Sequence, residues 1–166
     1  METKITSRPL KGFIIACILI VLDVFLQRAY NYNVPERIHY TPWLPIVFTG
    51  IVVSCMLFVK QSGGPHSFGE IFAHGFRTVV VTAFIMAAYT FISIKFIYPG
   101  PSAAEMEAAV KAIEQQGNNL HNEAVQMAEA AAKNRWIIYV SIAIFATVIP
   151  GILGALLTAF ATKKNQ

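Results

Sequence analysis

Residues 136–162 read Trp-Ile-Ile-Tyr-Val-Ser-Ile-Ala-Ile-Phe-Ala-Thr-Val-Ile-Pro-Gly-Ile-Leu-Gly-Ala-Leu-Leu-Thr-Ala-Phe-Ala-Thr, with no Asp, Glu, Lys or Arg among them. As a helix rising about 1.5 Å per residue, this stretch crosses a hydrocarbon layer of about 30 Å with residues to spare. Lipid offers no partner to a bare N–H or C=O, so such a segment must bond its backbone internally and be helical. Two more windows, Ile38–Val59 and Thr78–Ile94, also lack formal charge, and Lys11–Gln27 contains one acid, Asp23. Spans are predicted at about 10–30, 43–59, 78–98 and 136–160. The fold class follows: an all-α membrane protein with four transmembrane helices.

Between those windows the chain carries clear punctuation. Gln61-Ser62-Gly63-Gly64-Pro65 breaks the chain after the second span, and Pro99-Gly100-Pro101 stops the third. Ser67 and Glu70 have capping-box spacing, so a helix is predicted to begin at Phe68. Phe68, Ile71, Phe72 and Phe76 share one face of it, and Glu70, His74 and Arg77 the other. This pattern predicts an interfacial amphipathic helix leading into the third span. Residues 102–134 predict an extramembrane helical hairpin between spans three and four. Its first helix carries Met106, Ala109, Val110 and Ile113 on one face, Gly117-Asn118-Asn119 breaks it, and Leu120, Ala124, Met127, Ala128 and Ala131 line the second. The hairpin either caps the outer end of the bundle or offers a docking surface to a partner.

At 166 residues, 55% hydrophobic and 13% charged, the chain suits a single integral membrane domain, 1–166. The net charge of +4 comes from bases beside apolar windows, not from a basic stripe, so no nucleic-acid partner is expected. Cys17 and Cys55 lie inside apolar windows and are expected to pack as small hydrophobes without a disulfide. Lys4, Arg8 and Lys11 precede Gly12–Leu22 as in a secretory signal, but no small-x-small site follows. The segment is therefore expected to be a retained first span. The terminal segments and the loop 60–77 together hold more bases than the opposite side, and the surplus lies close to the spans. The positive-inside rule then puts both termini in the cytoplasm. Tyr30, Tyr32, Tyr40, Trp43, Tyr98 and Trp136 fall at the opposite interface, as an aromatic belt would.

The exceptions to the apolar pattern are the candidate functional residues. An ionised group at membrane depth costs about 2.5–3.5 kcal/mol on insertion scales and calls for a partner. Asp23 is such a group, Gln27 lies one turn on, and Lys95 is expected at similar height in the third span. They form a candidate intramembrane polar site. Two readings stand for it: an Asp23–Lys95 pair lining a polar path, or an Asp23 that reaches interface water while Lys95 snorkels independently. In the last span Ala143, Thr147, Gly151, Ala155 and Ala159 recur every four residues as a stripe of small side chains. Such a stripe lets helices approach closely, within one chain or between two copies. Gly50 and Ser54 offer a smaller groove on the second span. His66, Glu70 and His74 follow an i, i+4, i+8 spacing, but His66 precedes the cap, so a metal site is not expected. No phosphate loop and no nucleophile beside an ordered base can be read from the sequence. No catalytic residue and no cofactor is expected.

The segment from Gly63-Gly64 through Ser67-Phe68-Gly69-Glu70-Ile71-Phe72-Ala73-His74-Gly75-Phe76 resembles a family of small bacterial membrane proteins common in Bacteroidota, domain of unknown function 4199. The Tyr98-Pro99 stop, the acidic helical connector and the lysine-closed last span extend the likeness over most of the chain. The resemblance implies four spans in a bacterial inner membrane and supplies no catalytic residues. The leading expectation is a non-enzymatic accessory or scaffold subunit that contacts lipid and either a membrane-protein partner or a second copy. The alternative is a small carrier or lipid-handling protein using Asp23, Gln27 and Lys95.

Overall fold

The computed structural model describes residues 8–30, 43–62, 65–97, 103–116 and 121–164. Six α-helices and no strand occur among them: α1 Arg8–Tyr30, α2 Trp43–Ser62, α3 Phe68–Ile92, α4 Ala103–Gln116, α5 His121–Lys133 and α6 Arg135–Lys164. A π-helical turn, Ser93–Ile97, continues α3. Among the described residues three segments are long and apolar enough to cross a membrane: Trp43–Ser62, Phe68–Ile97 and Arg135–Thr162. Large apolar side chains such as Phe84, Phe96, Phe145 and Phe160 point outward. That surface suits lipid as the surrounding solvent and not water. The Tyr98-Pro99 stop, the Gly117-Asn118-Asn119 breaker, Leu120 of the expected second hairpin face and the tyrosines at 32 and 40 lie outside the described residues.

Helix α3 starts where its cap dictates. Ser67 has an extended backbone (φ −68°, ψ 153°) and its hydroxyl accepts from the Glu70 N–H at 3.3 Å. The Glu70 carboxylate accepts from the Ser67 N–H at 2.9 Å, which completes the capping box. The helix then runs unbroken to Ile92, where a separate interfacial segment was expected. The expected polar face is also revised. Glu70 and Arg77 are exposed, but His74 is buried with Ile71 and Gly75, because the first turns of α3 pack against α2 and α6.

One core cluster unites α1 (Ile15, Ala16, Leu19), α2 (Val47, Ile51, Cys55), α3 (Ile71, Val79, Met86) and α6 (Ala155, Ala159). The helices meet where side chains are smallest. A Cβ on Gly151 would sit 2.5 Å from Val79 Cγ2, and one on Gly75 would sit 2.6 Å from Ala155 Cβ and 2.8 Å from Cys55 Sγ. Ala143, Thr147, Gly151, Ala155 and Ala159 are all buried, so helices of the same chain cover the small-residue stripe. Threonines enter this interior by returning their hydroxyls to their own helix: Thr147 to Ala143 O at 2.8 Å and Thr158 to Gly154 O at 2.8 Å. Helix α6 continues through Pro150. Near it, Gly154 faces the Phe48 carbonyl of α2, which a Cβ would approach to 3.0 Å.

Helices α4 and α5 form a second, smaller cluster in which Val110, Ala124 and Ala128 are buried and Met106, Ala109, Ile113 and Val125 pack around them. The expected second face shifts by part of a turn. Met127 and Ala131 are exposed, and Val125 takes the packing role. The reason is geometric: the contacting face centres on Ala124 and Ala128, whose small side chains let α4 approach, and the longer Met127 turns outward. On the solvent side Lys111 donates to Glu107 at 2.6 Å, and this ammonium holds the Glu107 carboxyl below the usual carboxylate range. A one-residue turn at Asn134 joins α5 to α6.

If close approach holds the bundle, Gly75→Ala and Gly151→Ala destabilise it by about 1–3 kcal/mol each through overpacking. Gly69, with nothing within 4 Å of its would-be Cβ, tolerates Ala within about 0.5 kcal/mol. Thermal unfolding of the detergent-solubilised chain reads both. Equal melting temperatures for all three variants would refute the packing argument.

Candidate functional site

Polar side chains gather at three places among the described residues. The first lies within the bundle, where α1, α2 and α3 meet. Gly12 lets α1 come so close to α3 that a Cβ there would stand 2.9 Å from the Thr78 carbonyl. Across that gap Thr82 Oγ1 donates to the Gly12 carbonyl at 3.2 Å and to Thr78 O at 2.9 Å. His74 is 1% exposed, its ring stacked on Phe58 at 4.4 Å and 9°. Its Nε2 lies 3.2 Å from Ser54 Oγ. Lys11 is 6% exposed, and its Nζ donates to the Ser54 carbonyl at 3.5 Å. Ser54 is eight residues from the end of α2, about 12 Å of helix rise, so the ammonium is drawn well inside the bundle. The sequence places Lys11 among the flanking bases, and nothing local signals that it turns inward. His74, Thr78 and Thr82, in contrast, recur every four residues, and that spacing is the one legible sign of a polar seam on α3.

The second place is the end of the α1–α3 contact nearer the C-terminus of α1. Asp23 is 3% exposed and accepts from Tyr89 Oη at 2.8 Å. Lys95 lies elsewhere, its Nζ 5.6 Å from the centre of the Trp136 ring, which Phe91 meets edge-on at 5.5 Å. No ion pair joins Asp23 to Lys95 among the described residues. The physical reason is height. Asp23 stands level with Tyr89, and six further residues, three of them in the π-helical turn and together about 9 Å of rise, separate that level from Lys95. The Gln27 side chain lies outside the described residues. Tyr89 is the partner that sequence reasoning missed, because a tyrosine in an apolar run reads as packing until its hydroxyl finds an acceptor.

The third place is the turn between α2 and α3. His66 Nε2 lies 2.6 Å from Ser62 Oγ, and His66 Nδ1 lies 3.7 Å from Glu70 Oε2. Phe58 flanks the imidazole at 5.0 Å between ring centres. Ser62 and His66 thus stand side by side, a contact that the sequence reading did not anticipate. His66, Glu70 and His74 do not converge, since His74 faces the interior while Glu70 caps α3. No group of three metal-ligating side chains exists among the described residues.

Two measurements separate structural from coincidental contacts here. Tyr89→Phe removes a buried donor from Asp23 and is expected to cost about 1–3 kcal/mol. In double-mutant cycles Asp23→Asn couples to Tyr89→Phe and is additive with Lys95→Ala. Lys11→Met replaces a desolvated ammonium by an apolar chain of similar length and is expected to leave stability unchanged or raise it. A large loss for Lys11→Met, measured by unfolding in detergent, would show that the charge itself is required.

No match is found among curated proteins or among solved structures. The family described as "Protein of unknown function (DUF4199)" matches residues 11–164, which takes in all three polar sites and nearly the whole chain. Its three crossing-length apolar helices suggest a membrane-spanning protein, and the chain belongs to the DUF4199 family.

Proposed function

We propose that the chain is a four-span protein of a bacterial inner membrane, with both termini cytoplasmic, that serves as an accessory or scaffold subunit. In this reading the first span is α1, which joins the three segments of crossing length. Its 23 residues lie lengthwise against the bundle, with Gly12 at Thr78, Ile15 on Gly50 and Asp23 at Tyr89. The observation that carries the subunit role is the α4–α5 hairpin. It buries its own apolar face at Val110, Ala124 and Ala128, and it leaves Glu107, Glu123 and Glu129 exposed on a separately cored module. A self-packed acidic module tethered to a membrane bundle suits docking to a basic partner surface. The bundle's polar groups support the same reading, since Lys11, Ser54, Thr82 and Asp23 bond between helices and so pin them together. A second reading, a small carrier, is favoured by one observation: the burial of the Asp23 carboxylate against Tyr89.

Photo-crosslinkers placed on the exposed face of α5 are expected to trap one membrane protein reproducibly, and deleting residues 103–133 is expected to abolish its copurification in mild detergent. A chain that purifies alone and supports transport lost on Asp23→Asn would establish the carrier instead. Orientation is tested in a background of Cys17→Ala and Cys55→Ala carrying single cysteines at positions 33, 64 or 118. Impermeant thiol reagents are expected to reach 33 and 118 from outside and 64 only from the cytoplasm. Labelling of 118 only after cytoplasmic access would reverse the topology.

A further inference from the structure

The turn between α2 and α3 carries more than a connection. Ser62 Oγ, His66 and Glu70 stand in the order nucleophile, base, orienting carboxylate, with the two imidazole nitrogens facing the two partners: Nε2 to Ser62 at 2.6 Å and Nδ1 to Glu70 at 3.7 Å. The geometry points to a serine acyl-transfer site that cleaves the carboxylic ester of a membrane glycerolipid, an activity beyond the scaffold reading and independent of it.

Each group is positioned for that role by its element. Ser62 ends α2, and its hydroxyl hydrogen has two acceptors within reach, the Phe58 carbonyl at 2.5 Å and His66 Nε2 at 2.6 Å. Turning the hydrogen to Nε2 leaves the two oxygens without a hydrogen between them, so Oγ swings away from the Phe58 carbonyl as it engages His66. Phe58 flanks the His66 ring and restricts its rotation, and the His66 side chain is only 12% exposed, which shields the base from bulk water. Glu70 is fixed by the capping box, its Oε2 accepting from Ser67 N at 2.9 Å and Ser67 Oγ at 3.0 Å. The same oxygen faces Nδ1 at 3.7 Å, beyond hydrogen-bond length but within ion-pair range. Glu70 is a positioning residue: it favours the tautomer with hydrogen on Nδ1, which leaves Nε2 able to take the serine proton.

The chemistry balances without a further reagent. Ser62 Oγ bonds to the ester carbonyl carbon as its proton passes to His66 Nε2. The carbon–oxygen bond to the glycerol breaks, and Nε2 returns the proton to the departing alkoxide. Water then repeats the sequence on the acyl-serine, releases the carboxylic acid and restores Ser62. Location selects the substrate class. Ser62 ends one of the three segments of membrane-crossing length, so it lies at a boundary where lipid ester groups lie. Lys60, exposed two residues earlier, offers a positive charge to an anionic headgroup.

The test uses the full chain in detergent micelles with a fluorophosphonate probe, followed by mass mapping, and then with phosphatidylglycerol, followed by fatty-acid release. The expected result is a probe adduct on Ser62 and hydrolysis of the lipid, both absent from Ser62→Ala. His66→Gln is expected to slow labelling about 10²–10⁴-fold. Glu70→Gln keeps the capping box, because Gln serves that position too. It is expected to shift the acid limb of the labelling rate to lower pH, an effect that a merely structural role would not produce. Helical circular dichroism and a single elution peak confirm the fold of each variant, and mapping of the wild-type adduct needs no variant at all. Absence of a Ser62 adduct, or labelling unaffected by His66→Gln, overturns the site. A Ser62 adduct without fatty-acid release overturns the glycerolipid as its substrate.

Discussion

Apolar side chains gain little by leaving lipid for one another, so helices within a bilayer hold together by fit and by polar contacts between them. In this chain the fit is concentrated at Gly75, where α3 passes within contact of Ala155 on α6 and Cys55 on α2. Most of the other packing depends on this junction. It sets the register that places Gly151 under Val79 and Phe68 beside Phe160 at 4.8 Å between ring centres. With α3 so placed, its seam of His74, Thr78 and Thr82 turns toward α1 and α2. His74 Nε2 then meets Ser54 Oγ, and the Thr78 and Thr82 hydroxyls donate to the carbonyls of His74, Thr78 and Gly12.

This arrangement divides labour along the bundle. The inner seam, with Lys11 drawn to the Ser54 carbonyl, ties three helices together at a level where water cannot compete for the bonds. A second seam ties α1 to α3 through Asp23 and Tyr89, while Lys95, further on in the π-helical turn, settles over Trp136. Between the two, contacts are apolar, with Leu19 and Met86 fully buried. The α2–α3 turn lies at the far end, where Ser62, His66 and Glu70 are braced by a helix end on one side and a helix cap on the other. Chemistry at such a turn can vary without disturbing the packed interior.

Much of the fold was legible because it rests on local rules. The capping box at Ser67 and Glu70 set the start of α3, and the absence of charge marked α2, α3 and α6 as membrane-crossing in length. The recurrence of small residues in α6 identified the face that the bundle buries. The α4–α5 contact was nearly right, but Val125 replaced Met127 because sequence spacing defines a helix face only to within part of a turn. The candidate site was far less legible. Asp23 and Lys95 were expected at similar height in their spans, yet Asp23 meets Tyr89 and Lys95 lies six residues further along the chain, over Trp136.

The sequence by itself determined that the chain is helical, which helices are long enough for a bilayer, where α3 begins and which face of α6 is small enough to pack. These follow from hydropathy, capping and side-chain volume, each readable within one segment. Only the tertiary structure decided which polar groups meet. Lys11 with Ser54, Asp23 with Tyr89 and Ser62 with His66 depend on relative height, on rotation of one helix against another and on the fold of one turn. A step of a single residue rotates a side chain by about 100° around its helix, and no local pattern encodes that angle between segments distant in the chain.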